Sequence, residues 1–181
     1  MNPELYQNIT NSTISRESRD QNATFVLENP ELFSDLFHLT FAAGDKNHVK
    51  AGMIMQLVLE EKLELFFPFL EQFCKNCQLI KNESTLRSIG KITMLLSQEY
   101  EYNPDLLNAE QVQSLIEFAF DKIIDLKTKV ASKAYSIRAL YHFGKQIPWI
   151  YCELKPLLIK DYENYSAAYK AVAREILKKL K

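Results

Sequence analysis

One pattern occurs four times along the chain and constrains it more than any other feature. It consists of a basic residue, a small or short side chain soon after, and a large apolar residue seven positions on. It runs Lys50-Ala51-Gly52 to Leu57, Arg87-Ser88-Ile89-Gly90 to Met94, Lys133-Ala134-Tyr135-Ser136 to Leu140, and Lys170-Ala171-Val172-Ala173 to Leu177. The basic residues are 37, 46 and 37 positions apart, two equal intervals around a longer one, which describes a structural repeat with an insertion in its middle. Each segment has helical periodicity: Tyr165, Ala168, Tyr169, Val172, Ile176 and Leu180 recur at three or four, as do Val49, Met53 and Leu57, with Val58 beside them. The small residues predict close approach of helix backbones, where a bulky side chain would force strain.

A second helix is predicted before each of these. Asn29-Pro30 has the form of an N-cap followed by a proline at the first helical position, and Leu32, Phe33, Leu36, Phe37 and Thr40 follow on one side. The next reads Leu63, Phe66, Phe67, Leu70, Phe73, Cys74 and Cys77. The third opens at Asn108 with Gln111 three residues on, a capping-box pattern, before Val112, Leu115, Ile116, Ala119 and Ile123. The fourth carries Ile150, Leu154, Leu157 and Leu158. Pro68 and Pro156 fall inside their patterns, where a missing backbone donor predicts a bend or a late helix start.

These residues resemble the HEAT repeat, which pairs an A helix often carrying a proline with a B helix reading roughly Val-Arg-x-Ala-Ala-x-x-Ala-Leu. Val49-Lys50, Leu86-Arg87 and Ala139-Leu140 match pieces of the B helix, and Pro30, Pro68 and Pro156 match the A-helix proline. The third repeat departs from the pattern, because Ser132 precedes Lys133 where the family has an aliphatic residue. The resemblance covers residues 29–181. It implies an all-α, armadillo-type α-α superhelix of about four helix pairs. The chain is also similar to short bacterial helical-repeat proteins that sometimes carry the label adenylosuccinate lyase. That superfamily has a much longer chain and a flexible loop rich in Ser, Gly, Met, Lys and Pro, and this sequence contains no such loop.

Residues 1–11 are polar and predicted to fray. Ser12 to Leu27 is predicted to form a capping helix presenting Ile14, Phe25 and Val26, so that residues 1–28 precede a repeat domain over 29–181 within a single domain. Ser97 to Asn108, with Tyr100, Tyr102 and Asn103-Pro104-Asp105, reads as a long connection between repeats. The 181 residues suit a domain that buries roughly 70% of its unfolded surface, and 4 glycines supply too few turns for a β-sandwich. A net charge of −1 gives no bulk field toward nucleic acid or membrane. No apolar run approaches the roughly 18–20 residues of a spanning helix. The start Met1-Asn2-Pro3-Glu4-Leu5 lacks the basic and apolar regions of a signal peptide, so a cytoplasmic location is expected. On that expectation the Asn-x-Ser/Thr matches at Asn8, Asn11, Asn22, Asn82 and Asn164 are chance, and Cys74, Cys77 and Cys152 are reduced thiols.

No catalytic constellation, cofactor or metal site is expected. Cys74-Lys75-Asn76-Cys77 has redox or zinc spacing but lacks a second ligand pair, and both cysteines continue an apolar stripe. His38, His48 and His142 fall on different helices and read as surface or helix-end residues. Lys50, Arg87, Lys133 and Lys170 would align if the registers were equal. Two readings follow: a cationic strip for an acidic partner, or separate cations that hold carboxylates or helix-end carbonyls. The aromatic C-terminal half (Tyr135, Tyr141, Trp149, Tyr151, Tyr162, Tyr165 and Tyr169) reads mainly as packing, and the lysines at the end complement a helix terminus. The expected function is a non-catalytic scaffold that binds a protein or peptide on its B-helix face, with Tyr100 and Tyr102 as secondary candidates. A HEAT-like DNA-binding or alkylbase glycosylase-like repair protein is the alternative, disfavoured by the single Trp and the charge balance.

Overall fold

Short polar side chains decide where five of the ten described helices begin. The structure, a computed structural model, describes residues 1–13, 15–160, 162 and 165–180. Asn2 opens α1 (Pro3–Asn11) by accepting from the Leu5 N–H, and Ser15 opens α2 (Arg16–Glu28) by accepting from the Ser18 N–H. Next come α3 (Phe33–Phe41), α4 (His48–Glu61) and α5 (Leu70–Cys77). Asn82 Oδ1 accepts from the N–H groups of Ser84 and Thr85 at 2.9 and 3.2 Å and so starts α6 (Glu83–Tyr102). The Asn108–Gln111 pair forms the expected capping box at the head of α7 (Ala109–Ile124). The remaining helices are α8 (Val130–Gln146), α9 (Trp149–Lys160) and α10 (Ala167–Lys179), which Ser166 caps. No strand occurs among the described residues. The all-α helical-repeat expectation holds.

The prolines act through the donor they lack. Before Pro68 the chain runs as a 3-10 helix (Leu63–Phe69), and α5 starts only at Leu70, the late start expected there. By contrast α9 continues through Pro156 from a start at Trp149. Asn29 does not cap: its Nδ2 donates to the Phe25 carbonyl at 2.8 Å and closes α2, and a 3-10 turn (Pro30–Leu32) leads into α3.

Three other expectations are corrected. Residues 3–11, expected to fray, form α1 because Leu5 and Ile9 are fully buried and the Asn2 N–H donates to Asp35 at 2.6 Å. The capping helix expected from Ser12 begins at Arg16, since the Ser12 hydroxyl donates back to the Ile9 carbonyl. Val26 is buried and Phe25 half-buried, while Ile14 lies outside the described residues. Most of the expected long connection is helix. Leu96 and Ser97 are buried, and α6 persists to Tyr102, where Asn103-Pro104 stops it.

The chain divides into two compact units, Met1–Ile89 and Gly90–Lys181. In the first, α4 packs against both α2 and α3, over a core that includes Phe33, Phe37, Phe66 and Phe73. Ring centroids of Phe66 and Phe73 are 4.9 Å apart, and those of Phe37 and Phe69 are 4.8 Å apart. In the second, α8 packs against α7, α9 and α10 around Phe118, Ile137, Leu140, Phe143 and Ile176. The small residues sit at close approaches, as expected. A Cβ on Gly52 would stand 3.4 Å from the Thr40 methyl, and one on Gly90 would stand 3.4 Å from the Tyr135 Cβ. Ala134 is only half-buried and Ala171 is exposed, so that role falls to Ser132, Ser136 and Ala173 in those segments.

Candidate functional site

The four aligned cations of the sequence have different fates. Lys133 is 1% exposed, and its Nζ donates to the Ile123 carbonyl at 2.7 Å and to the Tyr165 hydroxyl at 3.2 Å. It therefore satisfies the C-terminal end of α7 and presents nothing to a partner. Its burial and its two hydrogen bonds favour the helix-end reading over the binding reading. Lys50, half-buried, does the same for α1, donating to the carbonyls of Thr10 at 2.8 Å and Ile9 at 3.3 Å. The helix-end reading is thus the one these two residues follow, because the last carbonyls of a helix have no partner within it. Lys170 is half-buried with its Nζ 5.6 Å from the Tyr162 ring centroid, and Arg87 is exposed.

The C-terminal unit instead assembles a half-exposed face from α6, α8 and α10 that the sequence reading did not single out. The Lys91 Nζ lies 5.7 Å from the Tyr135 ring centroid. One turn along α8, Arg138 pairs with Glu175 at 2.9 Å, and Lys179 meets the same carboxylate at 3.0 Å. Hydrogen bonds from Arg138 and then Lys179 hold the Glu175 carboxyl below the ordinary range. Another turn on, the Tyr141 ring carries two cations, with Lys145 at 5.1 Å and Lys179 at 5.2 Å from its centroid. Hydrogen bonding to Tyr141 raises the Lys145 ammonium above its usual value.

Tyr141 is braced from behind. Its carbonyl accepts from the Tyr151 hydroxyl at 2.9 Å, and the two rings stack at 6.0 Å. Tyr151 reaches that position because residue 144 is glycine, where a Cβ would collide with the Tyr151 ring. Burial pushes the Tyr151 phenol up to about 12. His142 Nδ1 meets Glu101 at 2.7 Å, and Gln146 donates to the Glu101 carbonyl, so the end of α6 is tied to α8. His142 is therefore half-buried in mid-helix, contrary to expectation; His38 is exposed, and His48 is the first residue of α4. Of the secondary candidates, Tyr100 packs at 5.6 Å on Phe143, whereas Tyr102, the last residue of α6, is 83% exposed. Neither lies in a loop.

The cysteine pair behaves as core. Cys74 and Cys77 are buried, the Cys77 thiol donates to the Cys74 carbonyl, and burial lifts the Cys74 thiol to about 11. Among the described residues no group of His, Cys, Asp and Glu has the arrangement of a metal site. No described helix is long and apolar enough to cross a membrane.

On this face four cations, three of them beside tyrosine rings, lie with the carboxylates Glu101 and Glu175 on α6, α8 and α10. A sequence signal for it existed in the five-residue step from Lys133 to Arg138, which moves a side chain off the buried side of α8. Among known proteins, no curated protein and no solved structure matches the chain. A sequence profile of the HEAT repeat domain matches residues 6–180. With an A helix that starts late at Pro68, B helices that pack through small residues and a match along nearly its whole length, the chain belongs to the HEAT repeat domain family.

Proposed function

We propose that this chain is a non-catalytic repeat scaffold whose C-terminal unit holds an acidic segment of a protein partner on the B-helix face of α6, α8 and α10. The observation that carries this reading is the alternation of Lys91, Tyr135, Arg138, Tyr141, Lys145 and Lys179 on one half-exposed face. Tyrosine and arginine are the residues that most often dominate binding energy, because they bring large contact area at little entropic cost. The braced Tyr141 and the Glu175-held Arg138 are already ordered, which lowers the cost of association. An acidic segment would replace part of the pairing to Glu175 while keeping the cations satisfied. Tyr102 at the end of α6 is a further candidate contact, and Arg87 on the N-terminal unit a separate candidate, since both are exposed.

The test compares the intact protein with the double variant Lys91→Glu, Arg138→Glu in capture of partners from native extract. The variant is expected to lose at least tenfold in recovery of the wild-type partners with an unchanged helical signal, because like charges opposed across an interface cost several kcal/mol. Wild-type recovery should also fall as salt rises. Undiminished recovery by the folded variant would remove this face from consideration.

A further inference from the structure

Independently of that face, α7 and α9 carry an apolar surface that the fold does not use. Helix α9 packs on α8 and buries Ile150, Leu154 and Leu158 on its inner side. A second stripe runs along the opposite side at helical spacing: Trp149, Cys152, Pro156 and Ile159, all exposed. Helix α7 likewise turns Ile123 inward and leaves Ile124 outside, 59% exposed. One turn before Ile124, the Phe120 ring stacks on Trp149 with centroids 6.2 Å apart and joins the two helices into one patch. Single exposed apolar side chains are ordinary on a protein surface, and a cluster is not. Of the eight large ones exposed among the described residues, Ile124, Trp149 and Ile159 lie on these two helices and Leu126 in the turn after α7, so the exposure is concentrated here.

The charges beside the patch specify what covers it. On α7 the exposed ionised residues Glu110, Glu117 and Asp121 are all acidic. The one cation of that helix, Lys122, is half-buried with its Nζ 5.3 Å from the Phe118 ring centroid. On α9 the exposed Lys155 and Lys160 outnumber Glu153. The patch therefore has an acidic flank and a basic flank, and a copy of itself is complementary to both. A two-fold axis between α7 and α9 sets α7 of each copy on α9 of the other, with apolar on apolar and carboxylates toward lysines twice over. An axis across the helices would set α7 on α7 and oppose like charges. The charge pattern selects the first arrangement.

We propose that this surface pairs with itself, so that the chain forms a two-fold dimer through α7 and α9 with Ile124 and Trp149 inside the contact. Aromatic and aliphatic side chains at the centre and charged ones at the rim are the ordinary anatomy of such a contact.

Trp149 is the only tryptophan of the chain and reports on the surface directly. The test is sedimentation of the full chain from about 1 to 500 µM, with the Trp149 emission recorded at each concentration. A monomer–dimer equilibrium with a dissociation constant of about 100 µM or lower is expected, and the emission should move to shorter wavelength as the dimer forms. Ile124→Glu, which keeps the tryptophan, should weaken the dimer about tenfold or more at an unchanged helical signal, because it buries an unpaired charge. The double variant Glu117→Lys, Asp121→Lys and the double variant Lys155→Glu, Lys160→Glu should each associate more weakly than the wild type. Mixing the two should restore association, because only the mixed dimer sets opposite charges on both flanks. Cys152 gives a chemical reading of the same event: its alkylation should slow as the dimer forms, while exchange through the monomer keeps it ahead of the buried Cys74. A monomer at every concentration, a dimer that leaves the Trp149 emission unmoved, wild-type association by folded Ile124→Glu, or no recovery on mixing would each overturn the proposal. A monomer that binds phosphatidylcholine vesicles and loses them in Ile124→Glu would assign the patch to a lipid surface and overturn it equally.

Discussion

The two units differ in the aromatic residue that sets their character: phenylalanines packed ring on ring in the first, and, beside a buried Phe118 and Phe143, tyrosines at the boundary in the second. In the N-terminal unit Phe33, Phe37, Phe66 and Phe73 are buried and meet ring against ring, with Phe69 half-buried among them. In the C-terminal unit Tyr135, Tyr141 and Tyr151 are half-exposed, and lysines lie over the first two. The chemistry follows the residue type. A phenylalanine gains only by leaving water, about 1.5–3 kcal/mol each when fully buried. A tyrosine keeps a polar end that favours the boundary. The same repeat geometry therefore yields a ring-on-ring core in one unit and a partly exposed tyrosine face in the other.

The largest expected effect breaks or keeps this contrast directly. Phe66→Ala, at a fully buried ring, should cost about 3–5 kcal/mol in urea unfolding. Tyr141→Ala should cost less, about 1–2 kcal/mol, because the ring is only partly buried and its cation contacts are surface contacts. Equal losses would mean that Tyr141 is core, and the face built on it would fall with the contrast.

How much of this was legible depended on the distance over which each interaction acts. The Asn108–Gln111 capping box is complete within four residues and could be read directly. So could the late start at Pro68, because a missing donor is a local fact. The lysines could not be placed from sequence. Lys50 finds its carbonyls 40 and 41 residues back, and nothing local says that α1 exists to supply them. Helix α1 itself was missed because only Leu5 and Ile9 in a polar stretch carry its burial. The end of α6 was misread because Ser97-Gln98-Glu99-Tyr100 looks polar, although Ser97 is buried with its hydroxyl on the Met94 carbonyl.

A middle-sized effect sharpens the distinction between cations that hold the fold and cations that face outward. Lys133→Met removes a buried donor while keeping the length of the side chain, and leaves the Ile123 carbonyl and the Tyr165 hydroxyl unanswered. It should cost about 1–3 kcal/mol. Arg138→Met, on a pair that is one-third exposed on both sides, should cost less than about 1 kcal/mol. Calorimetric melting of the two variants checks the order, and a reversal would exchange the roles assigned to these residues.

The smallest effect concerns the thiols, which repeat the contrast in another chemistry. Cys74 in the N-terminal unit is buried with its pKa lifted by burial from 9.0 to about 11, whereas Cys152 in the C-terminal unit is exposed. In the folded chain the Cys74 proton is held more tightly than in the unfolded chain. Its stabilisation is therefore complete below pH 9 and is lost as pH rises through about 11, when the unfolded chain ionises first. At pH 10 the loss should be on the order of 1 kcal/mol. Tyrosines and lysines titrate in the same window, so the quantity to measure is the slope of stability against pH in the wild type minus that in Cys74→Ala. A less negative slope in the variant is the expected outcome, and identical slopes would mean that burial does not protect this thiol. An iodoacetamide time course at pH 8 gives the matching kinetic result: Cys152 should be modified first and Cys74 only on unfolding, because the reactive form is the thiolate and burial withholds both the charge and the reagent.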